Sequence, residues 1–298
     1  LAGVALTSAV LSGALVVGDS VKESLRRNAA ARLSQVGPVL MGGERFFTSA
    51  LADRLAAELG GGAVVAPVLQ ITGTALNRDD DRRVNRVQIL GVDDRFWELS
   101  NKGVAPEGFE DERWIAINAP LAHRVGAEPQ DTLIVRVEIP GALSKDAPLS
   151  GESEQATPFS AVVTTVLDAE QFGLYSLKAE QVPPATIFLR RERLEAILEQ
   201  PGRANLLLGD HSLDAAAFAA AAERVWDLED LQLQVTATDA GTTRQMVSSR
   251  VFFDSAIIEA LQKIASVSSP VLTYLATDIA AGEKATPYSM VTGVGPAL

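Results

Sequence analysis

The chain has 298 residues, of which 47% are hydrophobic and 21% are charged. This composition excludes intrinsic disorder and allows two or three subdomains with a substantial core. The formal net charge of −12 disfavours nucleic-acid binding, because a phosphate backbone would be repelled, and the absence of cysteine excludes disulfides and thiolate metal sites.

Residues 1–17 contain only Ala, Gly, Val, Leu, Ser and Thr. As a helix, this run would be about 26 Å long, close to the roughly 30 Å of a bilayer's hydrocarbon core. A buried N-terminal helix and the apolar part of a signal peptide are the alternatives, although the basic residues that begin a signal peptide are missing. The length favours the C-terminal part of a truncated membrane helix, over residues 1–18.

The sequence changes from apolar to polar at Gly18-Asp19-Ser20. Ser20 and Glu23 have the spacing of a capping box, and Glu23 can pair with Arg27 on the same helix face. The pattern leaves open whether the first helix breaks here or continues into a polar stalk. Because glycine is conformationally permissive, Gly18, Asp19 and Ser20 are a candidate hinge.

The first block, residues 19–100, contains the stalk and then the pattern strand, helix, strand, strand. The run GPVLMGG predicts a strand, and Leu51, Leu55 and Leu59 share one face of an amphipathic helix that ends at three glycines. Two β-rich runs follow, and the polar NRDDDRR between them predicts a hairpin tip.

The second block, residues 101–180, is rich in strands. It predicts a strand, a short helix and another strand, then a loop at 142–158 rich in Pro, Ser and Glu, and then the strand FSAVVTTVL. The third block, residues 181–240, returns to alternating strands and helices. Ser212 is the predicted N-cap of its second helix.

The last block, residues 241–298, has one clear helix, for which Asp254 is the predicted N-cap. A second apolar segment follows Pro270. The final run, ATPYSMVTGVGPAL, predicts a strand with no obvious partner. We therefore expect this block to be a truncated C-terminal extension.

Motifs that would indicate catalysis or nucleotide binding are missing from the sequence. It has no Walker A loop, no G-x-S-x-G motif, no H-E-x-x-H motif and no EF-hand loop. The two histidines, His123 and His211, lie in different blocks without a second ligand at metal-binding spacing, so we interpret them as surface or capping residues. We therefore predict no catalytic residue, no cofactor and no metal.

A run of three aspartates is the other candidate for ion binding. Calcium loops need spaced ligands and a glycine turn, whereas arginines flank this run on both sides, which favours a solvated hairpin tip. The three tryptophans lie beside apolar residues and are predicted to belong to the core or to a groove. The aspartates are Asp79, Asp80 and Asp81, and the tryptophans are Trp97, Trp114 and Trp226.

Several stretches, in this order, resemble one family, the extracytoplasmic domain of FtsX-like/MacB-like ABC transporter permeases. SGALVVGDSVKESLRRNAAARL is similar to the end of that family's first membrane helix with its stalk, and INAPLAHRVGAEPQDTLIVRV to a short helix followed by a Gly-Asp strand start. RVWDLEDLQLQV, SSRVFFDSAIIEAL and LTYLATDIAAGEKATPYSMVTGV resemble later runs of a large branch of the family. One departure is Gln130, which stands where the family has glycine before Asp131.

The resemblance implies a bilobed α+β fold, a MacB-like periplasmic core preceded by the truncated membrane helix. One lobe, called Porter, would be built from two separate strand–helix units, residues 19–100 with the stalk and residues 181–240. The strand-rich lobe called Sabre would be inserted between them over 101–180, and 241–298 would extend the fold.

The same resemblance implies a function and a setting. Such a domain lies on the periplasmic side of the inner cell membrane and relays ATP-driven motion, for export, lipoprotein release or control of a periplasmic partner. It is not an enzyme. The implied partners are a cytoplasmic ABC ATPase subunit, the rest of the permease, a second permease copy, a periplasmic protein and the membrane. Two alternatives stay open: a membrane-tethered or secreted binding domain with no transporter, and a hydrolase with an unrecognised site.

Overall fold

The chain is a mixed α+β protein, as predicted, and it divides into two compact units, Leu1–Val247 and Ser248–Leu298. The computed structural model describes residues 2–138, 156–178, 180, 182–237, 244–248, 253, 255–264, 269–282 and 284–295. Most of the loop predicted at 142–158 lies outside these residues, and so does the predicted N-cap Asp254.

The first unit begins with one long helix and then alternates strands with short helices. Its first elements are α1 Ala2–Leu33, β1 Val36–Met41, β2 Phe47–Thr48, α2 Ala50–Leu59, β3 Val65–Asn77, β4 Arg83–Val92, α3 Asp94–Glu98, β5 Ile115–Asn118, α4 Ala119–Val125 and β6 Thr132–Glu138. The later ones are β7 Ala156–Val162, β8 Thr165–Leu167, a 3₁₀ turn at Ala169–Gln171, β9 Thr186–Arg190, α5 Arg191–Leu198, β10 Arg203–Ala204, β11 Leu206–Asp210, α6 Ala215–Val225, β12 Leu233–Ala237 and β13 Arg244–Ser248.

Helix α1 is continuous through the polar transition that the sequence left open. Ser20 lies inside the helix, so the capping box predicted with Glu23 does not form, since that motif needs a helix that begins at Ser20. The predicted ion pair does form, with 3.0 Å between Arg27 Nε and Glu23 Oε1. Among the residues that the structure describes, no helix combines the length and the apolar character needed to cross a membrane.

A nine-stranded sheet organises the first unit. Its main order is β1-β11-β3-β4-β9-β5-β8, and β6 pairs with both β3 and β7. Strands of the first and third sequence blocks therefore lie side by side, since β11 pairs with β1 and β3 while β9 runs parallel to β4. The strands of the middle block, β5 to β8, belong to the same sheet. The division into two lobes stays a prediction.

Strand β3 connects two parts of this sheet. Its first half pairs with β11 and its second half, from Gly73, pairs with β6, while β4 accompanies it on the other side. Gly73 allows the change of neighbour, because a Cβ there would lie 2.3 Å from the Arg136 carbonyl oxygen of β6. The side chain of Asn205 fills the gap between the two neighbours and hydrogen-bonds both the N–H and the C=O of Gln70.

The sheet separates the core richest in aromatic rings from two other cores, because side chains alternate along each strand. On β4, Ile89 faces the core under α4 and α5, whereas its neighbour Leu90 faces the aromatic core that contains α3. On β11, Leu207 faces a third core beneath α2 and α6, with Leu51 and Leu55 buried in it as predicted.

Two local predictions are corrected by the structure. The N-cap of α6 is Asp214 instead of Ser212, because the Asp214 carboxylate accepts a 2.8 Å hydrogen bond from the N–H of Ala217. The run FSAVVTTVL contains two strands, β7 and β8, which are separated at Val163 and Thr164. The pairing of β12 with β13 was not predicted.

The second unit contains α7 Ser255–Ile264, β14 Val271–Ala281 and β15 Lys284–Val294. The prediction that the final strand lacks a partner is wrong, since β15 pairs with β14 along its whole length in an antiparallel hairpin. Gly282 is the turn signal between these strands, and it adopts a φ of +65° at the hairpin turn.

Candidate functional site

The residues singled out in the sequence do not converge on one place. His123 lies on α4 and His211 follows β11, and both are exposed. The three aspartates lie in the exposed turn between β3 and β4, at the predicted hairpin tip. Within the described residues, no three His, Asp or Glu side chains are grouped so that they could hold a metal.

An open groove of about 550 Å³ lies between α2 and α6, next to the half-buried Trp226. Two arginines line it, and both already have partners. Arg54 pairs with the buried Asp230, and Arg224 pairs with Glu58, with 2.7 Å between Arg224 Nε and Glu58 Oε1. The groove therefore offers a ligand little uncompensated charge.

The most distinctive geometry lies where α1 enters the sheet, over residues 32–37, which we call the joint. Helix α1 ends at Leu33, and only two residues separate it from β1. Ser34 turns the chain with a φ of +51°, a left-handed conformation that is strained for a residue with a Cβ. The direction of α1 is thus fixed by a tight turn and not by a flexible linker.

The backbone of Gln35 ties the joint to two distant parts of the chain. Its N–H donates a 3.0 Å hydrogen bond to the Leu99 carbonyl, just after α3, and its carbonyl accepts a 2.7 Å bond from the His211 N–H, just after β11. Leu99 belongs to the first sequence block and His211 to the third. A movement of Gln35 therefore acts on both blocks at once.

Two further contacts hold the end of α1. The guanidinium of Arg32 donates to the carbonyl of Glu180, in the segment between β8 and β9, and Leu33 packs against the aromatic core.

At Gly37, a Cβ would lie 2.7 Å from both the Asp210 carbonyl oxygen and the His211 Cα. Glycine is needed there because the two strands approach so closely.

The aromatic core behind the joint is built from rings in mutual contact. The ring of Phe96 lies 5.1 Å from Trp97, 4.5 Å from Phe172 and 5.7 Å from Tyr175, measured between centroids. Trp97 and Tyr175 are fully buried. Burial strongly raises the pKa of the Tyr175 hydroxyl, which therefore stays protonated.

A second polar site surrounds the buried carboxylate of Asp230, beside α2. The Asp230 carboxylate, whose side chain is fully buried, accepts hydrogen bonds from the hydroxyl and the N–H of Thr48, from Arg54 and from the N–H of Asp227. Both of its oxygens therefore have partners. The site fastens β2 and α2 to the turn before β12.

A charged cluster follows the ends of the parallel strands β4 and β9. Burial raises the pKa of Asp93, and this effect is opposed by Arg95, whose Nε and Nη2 donate to Asp93 at 3.0 and 2.7 Å. Arg95 also reaches the exposed Asp53 at 2.6 Å. Each of these groups has an ionic partner, while the other carboxylate oxygen of Asp93, Oδ1, is buried without a hydrogen bond among the described residues.

Gln130 occupies the position at which the sequence departs from the resembled family. Its φ is +84°, a conformation that glycine adopts without strain and glutamine does not. The turn is held by the Gln130 N–H, which donates a 2.7 Å hydrogen bond to the Val163 carbonyl.

The sequence predicts a hinge at Gly18, Asp19 and Ser20, and it does not point to Ser34 and Gln35. The joint is formed mainly by backbone groups, which no side-chain pattern reveals. The available signal was Gly37-Pro38 after a long helical pattern, since glycine and proline mark the point where a helix has ended.

Neither a protein-family model nor a curated protein matches the chain. Among solved structures, it is similar to the periplasmic region of MacB from Actinobacillus actinomycetemcomitans, with a TM-score of 0.40 and 8% identity over 80% of this chain and 98% of that one. It is also similar to the extracellular domain of the noncanonic ABC-type transporter YknZ from Gram-positive bacteria, with a TM-score of 0.37 and 13% identity over 70% of this chain and 98% of that one. Both neighbours are domains outside the cytoplasm, one described as periplasmic and the other as extracellular.

Proposed function

We propose that this chain is a non-catalytic extracytoplasmic domain of an ABC transporter permease. In this role it relays ATP-driven conformational change across the membrane, for export, lipoprotein release or control of a periplasmic partner. The ATPase would be a separate chain or segment. The proposal is supported by the family resemblance of the sequence and by the construction of the joint.

The observation that carries the proposal is the direct entry of α1 into the sheet. A long helix transmits displacement along its axis only if both ends are firmly held. At its C-terminal end, the backbone of Gln35 is bonded to Leu99 and to His211, and Arg32 is bonded to Glu180. A displacement of α1 would therefore move the sheet instead of being absorbed by a linker.

The other end of α1 would be the membrane end. In this proposal, residues 1–18 are the end of a membrane helix, residues 101–180 are the Sabre-like lobe, and residues 241–298 extend the domain. Partners would be the ATPase subunit, the remainder of the permease with a second copy, and a periplasmic protein, with the chain on the periplasmic side of the inner membrane.

Gly18, Asp19 and Ser20 remain the proposed hinge between the two ends. Since α1 is continuous there, the hinge would be a bend within a helix, not a break between two helices. A Cβ at Gly18 would meet nothing within 4 Å, so a substitution would change the stiffness of the helix and not its packing.

The complete transporter in proteoliposomes tests the proposed function. Gly18→Ala and Gly18→Leu should leave ATP hydrolysis intact and impair substrate movement, because the domain would be tied more rigidly to the membrane part. Gly13→Ala is the matched control, since Gly13 also lies in α1 and a Cβ there would meet nothing within 4 Å. Unchanged movement in both Gly18 variants would refute the hinge.

The position of the domain can be tested separately, because the chain has no native cysteine. In intact cells, a membrane-impermeant maleimide should label Asn101→Cys, which is exposed, and should not label Ala116→Cys, which is buried. If Asn101→Cys is labelled only after the inner membrane is opened, the domain is not extracytoplasmic and the transporter proposal fails.

A further inference from the structure

Three buried polar atoms around the joint lack a hydrogen-bond partner among the residues that the structure describes. They are the Ser34 hydroxyl oxygen, the Trp97 indole Nε1 and the Tyr175 hydroxyl oxygen. Trp97 and Tyr175 are 0% exposed, so neither polar group lies at the protein surface. Buried polar groups are nearly always bonded, and leaving one unbonded is costly, so three in one region require an explanation.

The three atoms belong to the three pieces of chain that meet at the joint. Ser34 is the turn between α1 and β1. Trp97 lies two residues before Leu99, which accepts the bond from Gln35, and Tyr175 belongs to the same β8–β9 segment as Glu180, which accepts the bond from Arg32. All three pieces contact the same aromatic core.

The backbone of the joint is strained at one of the residues that carry these unbonded atoms. Ser34 holds a left-handed φ of +51°, which is unfavourable for serine. Strained backbone persists only where the surroundings enforce it, and it often marks a segment with more than one arrangement. The joint thus combines firm backbone hydrogen bonds at Gln35 with two unfavourable features. These are the strained backbone of Ser34 and the buried, unbonded polar groups of Ser34, Trp97 and Tyr175.

We propose that the joint is a two-state element, and that α1 shifts against the aromatic core into a second arrangement in which Ser34, Trp97 and Tyr175 gain hydrogen bonds. The cost of the unbonded atoms in the first arrangement brings the two states close in free energy. This inference rests on the proposed relay function, because the two-state joint would be the part of the relay that moves. Its test needs no transporter.

The chain contains a matched internal control for this inference. Trp114 is 2% exposed and its ring lies 5.9 Å from that of Trp97, but its indole N–H donates a 3.2 Å hydrogen bond to the Glu107 carbonyl. The two tryptophans therefore share one core and differ in whether the indole N–H is bonded.

The experiment is ¹⁵N relaxation dispersion on the indole signals of the full 298-residue chain, which has three tryptophans. We expect microsecond-to-millisecond exchange at Trp97 and a flat profile at Trp114. A flat profile at Trp97 would show a single arrangement and would overturn the proposal.

Two variants, Tyr175→Phe and Ser34→Ala, provide a second test of the proposal. Each variant removes a group that is bonded only in the second arrangement, so the exchange at Trp97 should weaken while the melting temperature stays the same or rises. A lower melting temperature for Tyr175→Phe would mean that the hydroxyl is already bonded, and would contradict the proposal. Exchange of unchanged amplitude in both variants would also contradict it. Exchange at the joint together with unaltered transport in the Gly18 variants would keep the two-state joint and refute the hinge.

Discussion

Two polar regions of the same unit are built in opposite ways. At Asp230, a fully buried carboxylate has partners for both oxygens, and the result is a fixed connection between β2, α2 and the turn before β12. At the joint, the hydroxyls of Ser34 and Tyr175 and the indole of Trp97 are buried without partners in the described part of the chain. A satisfied polar network specifies one arrangement, whereas an unsatisfied one leaves room for another.

The Asp230 site should show the largest loss of stability on substitution. Asp230→Ala removes one partner of an ion pair and leaves Arg54 and Thr48 without their acceptor, so we expect a loss of about 2–4 kcal/mol in the free energy of unfolding. Urea denaturation measures this. Asp227→Ala, at an exposed residue of the same turn, is the control and should cost under about 1 kcal/mol. Equal effects would mean that Asp230 is not a fastening point.

Gly37→Ala tests how tightly the joint is held. Because a Cβ there would lie 2.7 Å from backbone atoms of Asp210 and His211, β1 must move away from β11, at a cost of about 1–3 kcal/mol. Gly13→Ala, with open space around it, should be neutral or stabilising by up to ~1 kcal/mol. A neutral Gly37→Ala in thermal unfolding would show that the joint is looser than described.

Gln130→Gly tests whether relieving backbone strain in a turn outside the joint has a different effect from relieving it at the joint. The substitution relieves the unfavourable φ of +84° but increases the entropy of the unfolded chain, so a net gain of up to ~1 kcal/mol is expected. The gain should appear in denaturation without any change in the exchange at Trp97. Ser34→Gly should stabilise to a similar degree and alter that exchange. If Gln130→Gly also alters it, the joint is not the source of the motion.

The smallest effect is expected from the pH dependence at Asp93. Burial raises its pKa in the folded state, so its contribution to stability is present below the unfolded pKa of about 3.9 and is lost as the pH rises through the folded pKa. Asp93→Asn does not titrate, and its stability relative to the unsubstituted chain should therefore increase from about pH 4 upward.

Asp168 is the control of opposite sign for this pH series. A hydrogen bond from Lys102 lowers the pKa of Asp168, so its contribution is present above the unfolded pKa and is lost as the pH falls through the folded pKa. Asp168→Asn should accordingly lose stability relative to the unsubstituted chain as the pH rises. The same slope in both variants would contradict the assignment of burial as the cause at Asp93.

The sequence predicted the regular elements better than the connections between them. Leu51 and Leu55 mark α2 by their spacing, and the β3–β4 hairpin follows from two apolar strands around a polar tip, because both patterns are carried by side chains. The pairing of β15 with β14 and the order of the nine strands depend on contacts between distant residues, which a single sequence does not display.

The joint was missed for a related physical reason. The joint is held by hydrogen bonds of the backbone N–H and C=O of Gln35. Every residue except proline has both of these groups, so the type of residue at this position carries little information. The sequence points instead to a hinge at Gly18, Asp19 and Ser20 because glycine is distinctive, and this stays a prediction, with α1 continuous at these residues.

The most direct test of the relay uses the complete transporter with a fluorescent label at Asn101→Cys, an exposed position in the first unit. Two glycines inserted between Leu33 and Ser34 should abolish the ATP-dependent change in the label's fluorescence while ATP hydrolysis continues. The same insertion between Asp80 and Asp81, at the exposed hairpin tip, should preserve that change. An identical ATP-dependent change in both insertion variants would contradict the claim that the joint carries motion from α1 into the sheet.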